Sequence, residues 1–209
     1  MNWEGNTKIS VTFEAGDAAQ RAYSTMVRAF ETLRLSKKKW DVTSDRSTNR
    51  LKERSLANRT VDRHVAELEF STTDQIDFAG RAMSFENVNG DDILLYPGIA
   101  VIPRADGVFA LVDIRELKLE ADMVQFIEAD SVPSDAQVIG NTWAKTNKDG
   151  SPDRRFKENY QVPICLYGKI VFGSKTGITE EYRISNAEAA RAFVESMHAY
   201  QKSLAEADS

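Results

Sequence analysis

From Asp92 onward the chain breaks into short apolar runs, most of them closed by a turn signal, and this rhythm limits the fold more than any other feature. The runs are Ile93 to Tyr96, Ile99 to Ile102, Val108 to Val112, Leu117 to Ile127, Val138 to Ala144, Val162 to Phe172 and Glu180 to Ile184. Between them stand Pro97-Gly98, Ala105-Asp106-Gly107, Pro133-Ser134-Asp135, Lys148-Asp149-Gly150 and Lys175-Thr176-Gly177, residues suited to tight reversals. Successive antiparallel strands are the economical reading. After them Ser185, with Glu188 three residues later, reads as a capping box, and Ala190, Phe193, Val194, Met197, Tyr200 and Leu204 recur at helical spacing.

About seven antiparallel strands followed by one amphipathic C-terminal helix is the element order of a pleckstrin-homology-like barrel or sandwich, in which the helix closes one open end. Upstream the pattern differs. Ile9, Val11 and Phe13 alternate as in a half-buried strand. Gly16 and Asp17 then open a helix whose apolar stripe is Tyr23, Met26, Val27, Phe30 and Leu33, with Arg21, Arg28 and Glu31 toward solvent. Lys39 to Thr43, Arg50 to Ser55 and Asp62 to Ser71 supply strands to cover that stripe. The expectation is an α+β chain in two units: a β-α-β-β-β unit over 1–72, and over 73–209 a mostly antiparallel, pleckstrin-homology-like β-rich domain with a C-terminal helix. Ser71-Thr72-Thr73-Asp74 marks the break by interrupting the periodicity.

Charge narrows the function classes. With a net charge of -5, the surface is not built mainly for nucleic acid or anionic lipid, although a local basic patch is compatible with it. No stretch of ~18 apolar residues occurs and Met1 to Gly16 lacks a signal-like apolar core, so a cytoplasmic chain without a transmembrane segment is expected. Cys165 is the sole cysteine; no intrachain disulfide can form, and its place within Val162 to Tyr167 reads as a small buried hydrophobe. His64 and His198 are the only histidines and with one cysteine cannot compose a Cys/His zinc site. There is no Gly-x-Ser-x-Gly elbow, no phosphate-cradling Gly-rich loop and no dinucleotide fingerprint. Neither a catalytic residue nor a metal or cofactor is therefore assigned, and the balance leans away from an enzyme.

The densest polar stretch, Lys145 to Tyr160, is a long, locally basic connection between two strands. Lys148, Arg154, Arg155 and Lys157 can meet a phosphate or carboxylate, with Phe156 and Trp143 available for stacking. The structural reading, weighted more heavily, has Asp149-Gly150 and Pro152-Asp153 building turns, Asp153 pairing with one arginine, and Phe156 anchoring the loop to the core. Lys37-Lys38-Lys39 carries the same two readings, a solvated helix end or a phosphate contact, with the solvated end favoured. Pro152-Asp153 also matches half of a nuclease signature, but Tyr167-Gly168-Lys169 lacks the carboxylate that should complete it.

The segments Phe126-Ile127-Glu128, Val132-Pro133-Ser134-Asp135-Ala136, Thr142-Trp143, Asn147 to Lys157 and Leu166-Tyr167-Gly168 together resemble an uncharacterised bacterial domain family. The resemblance runs from about Asp92 to Phe193 and, more faintly, back to Trp40. Members of that family are often joined to J-domain-like, stress-response or membrane segments. The resemblance implies an accessory or sensing module and supplies no catalytic residue. The chain departs from the family at Tyr96-Pro97-Gly98, where members often have Phe-Pro-Asp, and at Ser174 to Glu180, which lacks their Gly-Leu-Asn. The leading expectation is thus a non-enzymatic binding or regulatory module that takes a protein partner or anionic ligand through Trp143, Lys148, Arg154, Arg155, Phe156 and Lys157. The alternatives are a nucleic-acid-associated accessory protein using the same loop, and a hydrolase in which Asp149, Asp153 and Glu158 converge.

Overall fold

The computed structural model describes residues 8–12, 16–42, 63–74, 76–88, 90–103, 109–175 and 177–207. Gly16, in extended conformation, precedes α1 (Asp17–Arg34), and Asp17 sets a carboxylate in the first turn, where the helix dipole favours it. Met26, Phe30 and Leu33 bury one face of α1, with Tyr23 and Val27 at its margin. The last helix, α2 (Ala187–Ala207), buries Ala190, Phe193, Val194, Met197 and Tyr200. The fold is α+β with mostly antiparallel sheets and a C-terminal helix.

The larger sheet runs in the order β10 (Lys118–Ile127), β12 (Gln161–Gly173), β13 (Thr179–Ile184), β2 (Lys39–Val42), β3 (Arg63–Val65), with β11 (Gln137–Trp143) also paired to β12. The second sheet is an antiparallel meander of β4 (Leu68–Ser71), β6 (Ala82–Phe85), β7 (Ile93–Leu95), β8 (Ile99–Pro103) and β9 (Phe109–Asp113). The sheets are linked edge to edge at two corners. Ala66 and Glu67 carry the chain from β3 to β4, the Ala66 amide donating to the Lys39 carbonyl and the Glu86 amide to the Glu67 carbonyl. A 3-10 turn, Ile114–Glu116, carries it from β9 to β10. Among the described residues the ladders do not close across either corner.

The inner faces of both sheets and one face of each helix share one apolar cluster, so residues on either side of Thr72 build the same core. Phe85 is its hub: its ring lies 4.8 to 5.5 Å from those of Phe30, Phe172, Tyr182 and Phe193. A second, smaller cluster of Ile76, Ala82, Leu94, Tyr96 and Val101 forms on the outer face of the meander, against Ile9 and Val11. There β1 (Ile9–Ser10) pairs in parallel with β5 (Ile76–Asp77).

Several expectations change. The strand expected over Asp62 to Ser71 is two strands, because Ala66-Glu67 turns the corner between sheets. The strands β5 and β6 were not expected at all; Ala82–Phe85 is buried at every position and so shows no alternation. The helix cap lies one residue further on and is a simple N-cap without the reciprocal bond of a box, since Ala189 stands at the third helical position. Asn186 Oδ1 accepts from the Ala189 amide and caps α2, while buried Ser185 accepts from the Lys38 amide instead. The strand expected over Arg50 to Ser55 lies outside the described residues. Among the described residues no helix is long and apolar enough to cross a membrane.

Candidate functional site

Beyond Ile164, where β10 ends at Ile127, β11 and β12 continue as a two-stranded ribbon down to Trp143 and Gln161. The connection at its tip is folded rather than slack. The Ala144 amide donates to the Tyr160 carbonyl at 2.8 Å. Asn159 clamps Lys145 from the other side, its Oδ1 accepting from the Lys145 amide and its Nδ2 donating to the Lys145 carbonyl. Further out, Thr146 bridges to Pro152, the Asn147 amide donates to the Ser151 carbonyl, and Gly150 takes the positive φ of 83° that the reversal requires.

Two aspartates build this loop. Asp149 accepts from the hydroxyl and amide of Ser151, and these bonds hold its carboxyl below the usual range. Asp153 is buried and accepts from the Arg155 amide at 3.0 Å and from Nε and Nη2 of the same residue at 3.0 and 2.6 Å. The Arg155 guanidinium beside it holds the Asp153 carboxyl below the usual range, and the carboxylate in turn raises the guanidinium.

The expected site residues thus separate into classes. Arg155 spends its fork on Asp153, although its side chain faces solvent. Lys148, Arg154 and Lys157 are exposed and make no hydrogen bond or ion pair among the described residues. Phe156 does not anchor the loop: it is 47% exposed, and Lys145 Nζ stands 5.7 Å from its ring centroid. Trp143 is half-buried at the end of β11. Tyr160, 60% exposed beside the loop's exit, adds a second exposed ring; its place at the end of the polar stretch was the one signal for it in the sequence. Asp149 and Asp153 give their carboxylates to hydrogen bonds within their own turns.

A buried polar cluster sits at the root of the ribbon. Glu128, 0% exposed, accepts from the Tyr167 hydroxyl at 2.8 Å through Oε2, while Lys38 Nζ lies 2.9 Å from Oε1 in an ion pair set off the hydrogen-bonding direction. Lys38 Nζ also donates to the Ser131 carbonyl, and the Lys37 amide donates to Asp135. Phe126 stacks on Tyr167 at 4.5 Å, and the Arg63 guanidinium lies over both Trp40 and Phe126, 4.7 and 4.6 Å from their ring centroids. Burial, then the nearby Glu128, raises both the Tyr167 phenol and the Cys165 thiol. Cys165 is consequently a protonated, buried thiol, the condition of a structural cysteine.

Of the lysine run only Lys37 is exposed, while Lys38 and Lys39 are turned inward. Lys39 Nζ donates to the Arg34 and Ser36 carbonyls at the end of α1, and Lys38 is turned inward onto Glu128. The lysine run alone could not reveal this, because Glu128 lies far along the chain.

No family model, curated protein or solved structure matches the chain.

Proposed function

We propose that the protein is a non-enzymatic binding module whose ribbon tip captures a partner carrying negative charge. The observation that supports this reading is the trio Lys148, Arg154 and Lys157, exposed and without internal partners among the described residues, on a loop that hydrogen bonds hold in shape. On a preformed loop the backbone needs no further ordering when these cations meet a carboxylate or phosphate, so only side-chain freedom is lost. Within residues 145–160 they belong to a set of five basic residues against three acidic ones, in a chain of net charge -5. Such a local reversal of sign steers an anionic group to one place on the surface.

The same reading places the two linked sheets and α2 in a pleckstrin-homology-like arrangement, supported by their edge-to-edge corners and by the way α2 covers the β9–β10 turn through Gln201. An accessory role in the cytoplasm accords with it: the one cysteine is free and buried, and the family resemblance points to such modules.

Affinity purification of the tagged protein from its own cells tests the proposal, with Lys148→Ala/Arg154→Ala/Lys157→Ala as the comparison. A partner held by the native protein, released by salt and absent with the triple variant is expected. If the folded triple variant keeps the same partner, the loop is not the binding site. A second reading, a nucleic-acid accessory, is favoured by exposed Phe156 and Tyr160 beside the cations, where bases could stack. Nuclease treatment of the same purified material separates the two.

A further inference from the structure

We infer that the partner presents a short acidic segment in extended form, which adds to β11 as a new strand and sets its carboxylates against Lys148, Arg154 and Lys157. This rests on the binding role proposed for the loop and specifies how the partner is held.

The backbone of β11 is set for such an addition. Pro163, opposite Asn141, accepts from the Glu128 amide through its carbonyl, so its backbone polar groups face the β10 side and not β11. The Ala144 amide donates to the Tyr160 carbonyl, one step beyond the pair Trp143 and Gln161. Hydrogen-bonded and non-hydrogen-bonded pairs alternate along an antiparallel ladder, so both observations place Asn141 and Trp143 at positions whose N–H and C=O point away from β12. Among the described residues no strand pairs with β11 on that side. Unpaired strand edges of this kind are where extended peptides dock.

Side chains along the edge fit an apolar stretch followed by charge. Val138 and Ile139 are 49% and 43% exposed at the start of the strand, with a register shift between Val138 and Gly140. The free cations stand just past its other end, after Ala144. A strand rises ~3.3 Å per residue, so a partner of about eight residues can lie along β11 and still reach the loop.

Charge also favours a short acidic peptide over a nucleic acid. Glu120 and Asp122 are exposed on β10, and the whole chain is negative. A long polyanion would meet that repulsion, whereas carboxylates confined to the tip lie beyond the ~8 Å screening length from most of it.

The test uses the full chain and a labelled, end-blocked peptide, Glu-Asp-Glu-Val-Thr-Val-Thr-Val, together with the same residues in reverse order. Binding by at least one order is expected. Methylating alternate peptide nitrogens should weaken it about tenfold or more, a change of about 1.4 kcal/mol. Asn141→Pro should do the same while leaving the unfolding midpoint in place, since proline is accepted on an edge strand whose N–H faces solvent. The triple cation variant should weaken binding and flatten its salt dependence. Equal binding by the methylated peptide and by Asn141→Pro would overturn the added strand while leaving the loop as a binding site. The added strand is likewise overturned if neither peptide binds although the tagged protein keeps a cation-dependent cellular partner. Tighter binding of a thymidine oligonucleotide than of either peptide overturns the inference in favour of nucleic acid. Loss of the binding role itself shows separately, as a partner retained by the triple variant.

Discussion

A Cβ built on Gly168 would lie 2.4 Å from the Cβ of Ala190 and 3.1 Å from the Cα of Ala187. The first turn of α2 thus rests directly on the backbone of β12, and the small residues on both sides set the approach. Gly168→Ala must push the helix away from the sheet, because the Ala187 contact is with backbone and cannot rotate aside. The expected loss is about 1 to 3 kcal/mol. Urea unfolding should show a lower midpoint with an unchanged slope; an unchanged midpoint would mean that α2 is not seated as described.

Phe85 should be the least replaceable residue of the core, since its ring touches rings from α1, β12, β13 and α2. Phe85→Ala is expected to cost about 3 to 5 kcal/mol. Exposed Phe156, of the same residue type, should lose far less on truncation, and the two unfolding midpoints measured side by side check the contrast.

The strands from Ile93 to Ile184 were legible because turn residues separate them and their lengths match apolar runs. The strand carrying Phe85 was not, since Ala82-Met83-Ser84-Phe85 is short, wholly buried and free of β-branched residues, so neither alternation nor propensity marks it. The corner at Ala66-Glu67 leaves only a faint mark, the adjacent apolar pair Val65-Ala66 that slips the alternation, and such a slip marks a bulge within one strand as readily as a change of sheet. In the loop, the Asp149 and Asp153 turns followed from local chemistry. What sequence could not show was which cation each carboxylate would claim: Asp153 takes the arginine two residues on, Glu128 takes Lys38, and exposure of Phe156 depends on how far the ribbon projects.

The ion pair of Lys38 and Glu128 should respond unequally to its two truncations. Lys38→Met leaves a fully buried carboxylate without its cation and is expected to cost about 3 to 5 kcal/mol. Glu128→Gln keeps an acceptor for the Tyr167 hydroxyl, and Lys38, partly exposed, can turn its ammonium to water, so the loss should be smaller. Denaturant unfolding of both single variants and the double variant gives the coupling directly. Small and equal losses would show that the pair contributes little despite the burial of Glu128.

Alkaline pH should unfold the protein through its buried phenols. Burial lifts Tyr167, Tyr182 and Tyr200 above the ordinary 10.0, and Tyr23 is pushed up to about 12. Above pH 10.0 the unfolded chain gives up these protons while the folded chain keeps them, so the folded state binds more protons. Stability is then complete below that pH and falls as pH rises through and beyond it, by about 1.4 kcal/mol per pH unit for each fully retained proton. Urea midpoints between pH ~9 and ~11 check the sign. Tyr200→Phe should make the fall shallower, because one retained proton is removed.

The last expectation separates the shape of the loop from its charge. Asp153→Ala removes the acceptor that holds Arg155, which frees one more cation at the tip but unties the turn that orders it. If preformed geometry governs recognition, binding of an acidic peptide should weaken despite the added free charge; if charge alone governs it, binding should strengthen. Acid gives the same contrast in the native protein. The lowered Asp153 carboxyl contributes order that is present above the ordinary 3.8 and is lost as pH falls below it, through the depressed folded value. Amide hydrogen exchange over residues 144–160 should therefore stay slow at pH 3.8 in the native chain and become fast in Asp153→Ala. Fast exchange in both would show that the Asn159 clamp and the Thr146 to Pro152 bridge do not hold the loop unless the Asp153 carboxylate stays fully ionised.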